Sequence, residues 1–239
     1  MEFVNQMYPT QLINGYPLSL SGLLSRRRMQ SAFTLIELLA VIIVMSLLIA
    51  ATAPMVFSSL AASRLTSTGE SLLADLSFAQ QTSISLGQTT EVRFYKFTPD
   101  NGFSDASSWG GYQVFRVFDQ PTQNPKNPTG PLISELPLTE PRRFREGVLA
   151  ASAQSPLLTT GTLATESGGL QYFPVAGASY TSIRFTSDGS TDIKLPLNGS
   201  YITLAAFSSG EDSATLPANI YTIQINPSTG NLRSYRPSL

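Results

Sequence analysis

Residues 31–57 read SAFTLIELLAVIIVMSLLIAATAPMVF, an apolar stretch whose one carboxylate, Glu37, stands near its beginning. Residues 38–57 are long enough to cross a hydrocarbon core of about 30 Å as a helix. A carboxylate at mid-bilayer costs about 2.5 to 3.5 kcal/mol, and less near the interface. We therefore expect Glu37 to have a partner that offsets this cost.

Three arginines, at positions 26, 27 and 28, come just before the apolar stretch. The positive-inside rule places such residues in the cytoplasm, so residues 1–32 are expected there and the chain after Phe57 on the opposite side. Three interpretations fit this pattern: a permanent membrane anchor, a cleaved secretory signal, and a leader peptide that is cut on the cytoplasmic side of the apolar stretch.

A secretory signal would use Ala-Thr-Ala at residues 51–53 as an A-x-A cleavage site. Cleavage there would leave Pro54 at the first mature position, which suits that peptidase poorly, and Glu37 interrupts the start of the apolar region. Ser-Arg-Arg at residues 25–27 resembles part of a twin-arginine export signal, but residues 29–31 lack the apolar side chains that usually follow. The sequence therefore favours an anchor or a leader.

Residues 32–39, AFTLIELL, resemble the processing site of the type IV pilin and type II secretion pseudopilin superfamily. The resemblance implies that a prepilin peptidase cuts between Ala32, where the family usually has Gly, and Phe33, and methylates the new amine. It also implies that Glu37 pairs with the amine of a neighbouring subunit during assembly. Pro54 is expected to kink the helix, as prolines do in long helices. The alternative is an interfacial Glu37 on a plain anchor helix.

Composition excludes several kinds of chemistry. The chain has no cysteine and no histidine, so it has no disulfides and lacks the commonest metal ligand and acid–base side chain. Its 15 basic and 16 acidic residues give no basic footprint for nucleic acid. We expect no cofactor and no metal. Asp100, Asn101 and Asp105 are oxygen donors of the kind calcium prefers, but they are also ordinary turn residues.

The helix is predicted to continue beyond the membrane. Apolar residues recur at helical spacing between polar ones at Leu60, Leu65, Leu72, Leu73, Leu76, Ala79 and Ile84. Gly87 is a plausible C-cap, and Gly69 is expected to weaken the middle by about 1 kcal/mol relative to Ala. A helix over residues 33–86 would be about 80 Å long.

After Gly87 the pattern changes to the period of two that is typical of strands. Strands are predicted at residues 90–97, 112–118, 144–149, 182–186, 201–206, 220–225 and 232–235, with turns at Asp188-Gly189 and at residues 226–231. Residues 98–111, 119–131 and 150–169 are predicted loops. The fold class is therefore α+β, with a long N-terminal helix packed on a C-terminal antiparallel sheet.

Two features of the predicted loops allow alternative interpretations. Arg142, Arg143 and Arg145 form either a solvated loop face or a patch that docks a partner. Trp109 lies among Ser and Gly in what looks like an exposed loop, where it would be either a contact anchor or a lid over the sheet.

The element order, with SIRFTSDGS at residues 182–190 and INPSTGNL at residues 225–232, resembles the H-type (FimT-like) minor pseudopilins. The resemblance implies a cleaved leader at residues 1–32, a transmembrane half-helix at 33–57, an amphipathic half at 58–86 and a periplasmic head at 87–239. It further implies a single-pass protein of the bacterial inner membrane, whose partners are the prepilin peptidase and other pseudopilins or pilins.

The function that this resemblance implies is that of a minor pseudopilin, a structural subunit in the short filament of a type II secretion-like system. The alternative in the same class is a minor type IV pilin for attachment, motility or DNA uptake. A third class is a membrane-anchored periplasmic enzyme or binding protein. An enzyme would need a constellation of catalytic residues, and the sequence shows none, so we expect no enzymatic activity.

Overall fold

A helix of 52 residues, α1 (Leu35–Leu86), begins the part of the chain that the structure describes. This structure is a computed structural model, and it describes residues 33–96, 109–130, 132–161, 164–165, 178–207 and 217–236, without the side chains of residues 53–55 and 165. The chain forms two units, Met1–Ile49 and Ala50–Leu239, and α1 contributes residues to both.

The rest of the described chain forms one antiparallel sheet with short helical connections. Its strands are β1 (Thr90–Lys96), β2 (Trp109–Thr122), β3 (Ile133–Pro137), β4 (Arg142–Arg143), β5 (Val148–Ala150), β6 (Ala164–Thr165), β7 (Ser179–Phe185), β8 (Tyr201–Ala206), β9 (Ile220–Ile225) and β10 (Leu232–Tyr235). A short helix, α2 (Pro156–Thr159), follows β5. Along the sheet the order is β10-β9-β8-β5-β2-β1-β7-β6, and β3 and β4 also pair with β2.

The predicted fold class is confirmed, and β8, β9 and β10 have their predicted bounds. Several expectations about the strands are wrong, among them the bounds of β7, which runs from Ser179 to Phe185 and not over residues 182–186. Strand β2 runs from Trp109 to Thr122, so residues 109–111 and 119–122, which were predicted to lie in loops, belong to this strand. The strand expected at residues 144–149 occupies Val148–Ala150 instead, and β3, β4 and β6 were not predicted. Phe97 lies outside the described residues.

The core of the larger unit lies between one face of α1 and the sheet. Leu65, Leu72, Leu76 and Ala79 are fully buried. They belong to one apolar cluster with residues from six strands, among them Val92, Phe94, Val114, Val148, Ala150, Ile183, Phe185, Ile202, Leu204, Tyr221, Ile223 and Ile225. Leu60 and Ile84 were expected on this face, but they are 45% and 53% exposed. The buried face is therefore shorter at both ends than the sequence pattern indicates.

Helix α1 ends as predicted at Gly87, which has a φ of 61°. Its N–H donates to the carbonyl of Ile84 at 3.3 Å, and the N–H of Gln88 donates to the carbonyl of Ser83 at 3.1 Å. These two bonds form a Schellman motif, in which a left-handed residue satisfies carbonyls that the helix leaves unpaired. The motif turns the chain into β1, where the Thr90 hydroxyl donates to the carbonyl of Ala79.

The last turns of α1 are tied to two distant turns of the chain. The Gln80 side-chain amide donates to the carbonyls of Gly189 and Thr229, at 3.1 and 2.9 Å. A Cβ at Gly230 would lie 2.1 Å from the carbonyl oxygen of Gly189. Both turns were predicted from the sequence, and the glycines at their tips let them approach each other closely enough to share Gln80.

Gly69 of α1 lies against Tyr221 of strand β9. A Cβ at this position would stand 2.5 Å from ring atoms of Tyr221, which is 4% exposed. Contacts this short do not occur between real atoms, so a side chain here would force the ring to move. Gly69 therefore has a packing role, which offsets the weakening of the helix that its sequence position predicts.

Candidate functional site

The first turn of α1 holds Glu37 in a reciprocal set of hydrogen bonds. The backbone N–H and the hydroxyl of Thr34 both donate to Glu37 Oε2 at 3.0 Å, and the Glu37 N–H donates to Thr34 Oγ1 at 3.3 Å. This is a capping box, which satisfies backbone donors that a helix N-terminus leaves unpaired. Glu37 therefore has a partner in its own chain, although that partner carries no charge.

The signal for this box is the spacing Thr-x-x-Glu at residues 34–37, which sequence reasoning missed. Phe33, beside it, is 80% exposed. Ala32 lies outside the described residues, so cleavage between Ala32 and Phe33 stays a prediction. Pairing of Glu37 with another subunit's amine also stays a prediction.

The first half of α1 presents apolar side chains on every side. Leu35, Ile42 and Leu48 are 82%, 57% and 61% exposed. By length and composition α1 can span a membrane, and it is the one such helix in the part of the chain that the structure describes. The helix continues through Pro54, whose side chain is not described. The kink expected there stays a prediction.

A buried ion network lies on one face of β1, opposite the face that carries Val92 and Phe94. Glu91 and Arg93 are 1% and 5% exposed, and the Arg93 Nε donates to Glu91 Oε1 at 2.6 Å. Arg93 also binds both carboxylate oxygens of Glu135 on β3. The Arg184 Nε donates to Glu91 Oε2 at 2.7 Å. Two arginines thus neutralise two carboxylates.

Aromatic rings complete the surroundings of Arg93. Its guanidinium carbon lies 4.3 Å from the ring centroid of Phe115 and 4.6 Å from that of Tyr180, within cation–π range. Burial acts to lower the pKa of Arg93, but the hydrogen bonds to Glu135 and Glu91 raise it well above its ordinary value. Arg93 stays charged at any accessible pH, and its bonds to Glu135 join β1 to β3.

The cluster Arg142, Arg143 and Arg145 borders a cavity of about 240 Å³ beside α1. Thr68 and Ser71 of α1 form one wall, and Tyr112 and Phe144 contribute aromatic rings 5.7 Å apart. We call this cavity the arginine pocket. Arg142 and Arg143 form β4, which pairs with β2, so the sheet fixes part of what the sequence presents as a loop.

Asp75 holds two members of the arginine pocket. Its Oδ2 accepts a hydrogen bond from the Tyr112 hydroxyl at 2.7 Å and pairs with the Arg142 Nε at 3.0 Å. Burial, and then the hydrogen bond to Asp75, raises the pKa of Tyr112 well above its ordinary value. Tyr112 therefore stays a neutral donor, and Asp75 orients Arg142 from inside the protein.

The other two candidate sites are Trp109 and the oxygen donors at residues 100, 101 and 105. Trp109 does not lie in an exposed loop; it begins β2, is 3% exposed and belongs to the main apolar cluster. Asp100, Asn101 and Asp105 lie outside the described residues. Among the residues that are described, no group of three or more Asp or Glu side chains could hold a metal ion.

Comparison with known protein families gives two matches. Residues 27–53 match the prokaryotic N-terminal methylation motif, which covers the capping box and most of the exposed apolar half of α1. Residues 68–229 match the family described as type II transport protein GspH. This second match spans more than half of the chain, and the chain belongs to the GspH family.

Solved structures give distant similarities. The minor pseudopilin EpsH of the Vibrio cholerae type 2 secretion system is 15% identical with a TM-score of 0.35, and the alignment covers 74% of this chain and 99% of that one. A second crystal structure of Vibrio cholerae EpsH has a TM-score of 0.34 at 15% identity, covering 74% and 96%. The type IV minor pilin FimU of Pseudomonas aeruginosa has a TM-score of 0.32 at 15% identity, covering 74% and 94%. Curated protein sequences give no match.

Proposed function

We propose that the chain is a minor pseudopilin that enters the short filament of a type II secretion-like system. One observation carries this proposal: a methylation motif begins an exposed apolar helix, and the same chain carries the GspH family domain. In this proposal residues 1–32 are a leader, 33–57 the transmembrane half of the helix, 58–86 its amphipathic half and 87–239 the head. The protein acts as a structural subunit rather than a catalyst.

The charge pattern supports an inner-membrane position. The arginines at 26, 27 and 28 precede the apolar stretch, so the positive-inside rule keeps the leader in the cytoplasm and sends the head to the periplasm. The large apolar side chains at residues 35–49 and at 56 and 57 are exposed in the described chain, as expected of a segment that lipid surrounds. The partners are the prepilin peptidase and other pseudopilins.

Maturation is the first test. Co-expression of the full chain with a prepilin peptidase should give a product that begins at Phe33 with a methylated amine, measured by mass spectrometry of the intact protein. Ala32→Trp, which puts a bulky side chain beside the cut, should block cleavage. An intact leader in the unaltered chain, or a mature end at Pro54, contradicts the proposal.

The capping box makes a sharper test of Glu37 possible, because the cap and the charge can be removed separately. Glu37→Gln keeps a side-chain acceptor for the Thr34 N–H but removes the negative charge, since Gln also serves in a capping box. Thr34→Ala removes the hydroxyl of the cap but keeps the charge. Glu70→Gln, at an exposed position further along α1, is the matched control for loss of a carboxylate.

We expect Glu37→Gln to insert in the membrane and be cleaved normally, but to fail to crosslink to other pseudopilins. Thr34→Ala should crosslink nearly as well as the unaltered chain, since losing a cap costs about 1 kcal/mol of helix stability only. If Thr34→Ala abolishes crosslinking and Glu37→Gln does not, Glu37 is a capping residue and the pairing proposal is wrong. Crosslinking of the matured chain only to pilus subunits would assign it to a pilus instead.

A further inference from the structure

We propose that Thr34 positions the peptide bond that the prepilin peptidase cuts, because it fixes the residue at which α1 begins. This inference rests on the proposed function, in which hydrolysis of the Ala32–Phe33 bond matures the chain. In that reaction water adds to the carbonyl carbon of Ala32, the bond to the Phe33 nitrogen breaks, and that nitrogen takes a proton from the water. All of these residues lie within the match to the methylation motif, residues 27–53.

Side chains fix the start of α1. The Leu38 N–H donates to the Thr34 carbonyl at 3.2 Å, and Phe33 and Thr34 themselves are not helical. Thr34 is therefore the N-cap, and its hydroxyl and N–H form the capping box with Glu37. The Ala32–Phe33 bond precedes this cap in the sequence, so it lies outside α1.

The sequence offers a second start one turn earlier. Serine is at least as good an N-cap as threonine, and a helix capped by Ser31 would have Ala32 and Phe33 in its first turn. Neither glycine nor proline stands in that turn to prevent it. The third residue after each cap decides between the two starts. Glu37 completes a capping box for Thr34, whereas Ser31 has Thr34 at that position, and the box needs Glu or Gln.

The choice of start matters for cleavage because proteases act on open backbone. A bond protected by folded structure is cut only from the fraction of molecules in which that structure has opened. With the cap at Thr34, the peptidase reaches the bond before Phe33 without unwinding α1. With the cap at Ser31, the Ala32 carbonyl that water must attack would instead accept a helical hydrogen bond from the Ile36 N–H.

A variant of matched shape isolates the hydroxyl of the cap. Thr34→Val keeps the shape that a peptidase subsite would bind and removes the hydroxyl. Losing an N-cap costs about 1 kcal/mol, a factor of about five in the ratio of the two starts. We expect the initial rate of cleavage of the full chain by prepilin peptidase to fall by up to about fivefold. Thr34→Ser should be cut at the unaltered rate. The control is Ser46→Ala, which removes a hydroxyl that donates to the Ile42 carbonyl within the helix and should leave the rate unchanged.

Two further variants distinguish positioning from direct recognition of Thr34 by the peptidase. Thr34→Gln completes a Ser-x-x-Gln box at residues 31–34 without adding charge, so it should move the start of α1 to Ser31 and slow cleavage more than Thr34→Val does. Adding Ser31→Ala to Thr34→Val removes the competing cap and should restore most of the rate. A peptidase that bound the Thr34 hydroxyl itself would stay slow on this double variant.

Hydrogen exchange of the uncut chain reports the start of the helix directly. A helix capped at Thr34 offers no carbonyl of its own to the N–H groups of Leu35 and Ile36. A helix capped at Ser31 offers them the carbonyls of Ser31 and Ala32. Exchange at Leu35 and Ile36, measured by mass spectrometry in a mild detergent, should therefore be slower in Thr34→Gln than in the unaltered chain.

The outcomes separate the two proposals. If the unaltered chain is not cut before Phe33, the proposed function fails. If it is cut there, the proposed function stands, and Thr34 does not position the bond in any of three cases: Thr34→Val is cut as fast as the unaltered chain, adding Ser31→Ala does not restore the rate, or exchange at Leu35 is unchanged in Thr34→Gln. The fluorescence of Trp109, which is buried in the sheet domain, should be the same in all variants and shows that they are folded.

Discussion

Replacing Gly69 by alanine should destabilise the protein, although the same change stabilises most helices. Alanine in place of glycine gains about 1 kcal/mol in a helix interior. Here the new Cβ would lie 2.5 Å from the ring of Tyr221, which is buried against α1. Overpacking of a filled core costs about 1 to 3 kcal/mol. The net effect is a loss of about 0 to 2 kcal/mol in the free energy of unfolding.

A double-mutant cycle isolates the clash. Tyr221→Ala removes the ring, so adding Gly69→Ala to that variant should stabilise it by the helix propensity alone, about 1 kcal/mol. The coupling between the two positions is then about 1 to 3 kcal/mol, as expected for residues in contact. In a chain of this size 1 kcal/mol shifts the melting temperature by about 2 to 4 °C.

Trp109 supplies the assay without any added label. It is the one tryptophan of the sequence, is 3% exposed, and lies in the same apolar cluster as Tyr221. Its fluorescence therefore reports unfolding of the sheet domain in the full chain in a mild detergent. If Gly69→Ala raises the melting temperature equally in both backgrounds, the close approach of Tyr221 to the helix is wrong.

Three further predictions use the same fluorescence assay. Leu72→Asp puts an unpaired charge in the core and should unfold the sheet domain. Ala74→Asp, on the exposed side of α1, should change the melting temperature little. Equal tolerance of both changes would show that α1 does not pack on the sheet as described. Arg93→Met should cost about 3 to 5 kcal/mol, because Glu91 and Glu135 lose the cation they share. Hydrogen bonds from Thr186 and Ser190 lower the pKa of Asp188 from 3.8 to about 2. The contribution of Asp188 to the free energy of unfolding is therefore full above about pH 4 and is lost as the pH falls towards 2. Asp188→Asn should remove this part of the pH dependence of stability.

The sequence predicts those elements whose pattern is local. Strands β8, β9 and β10 have their predicted bounds; β9 alternates regularly, and a turn with Asn, Pro and Gly separates it from β10. Helix α1 is predicted because its apolar residues keep a helical period and Gly87 stops it. These signals need no knowledge of what packs against the element.

The missed elements depend on distant parts of the chain. Trp109, Gly110 and Gly111 have the composition of a loop, but they are strand because they pair with β1, where Tyr95 lies opposite Gly111 and Lys96 opposite Trp109. Two arginines in a row carry no strand signal of their own. A two-residue strand such as β4 exists only because β2 is already there to pair with it.

The site shows the same limit. Glu91 and Arg93 alternate with Val92 and Phe94, a pattern that predicts one face in water. The structure buries both faces, because Glu135 and Arg184 come from distant strands to neutralise the charges. The capping box, by contrast, was readable from Thr34 and Glu37 alone. Local spacing is visible in a sequence, whereas pairing across strands is not.

The contacts of Gln80 with Gly189 and Thr229 have a consequence for the time course of biosynthesis. Ribosomes add about 5 to 20 residues per second, so Thr229 is made about 7 to 29 s after Leu86. During that interval strands β8 and β9 are incomplete, so the leucines of α1 that they later cover have not yet been buried. Strand partners so far apart in sequence also make folding slow. The buried leucines of α1 are therefore covered only after β9 and the turn that contains Thr229 have been synthesised, and until then they can associate with other unfolded chains.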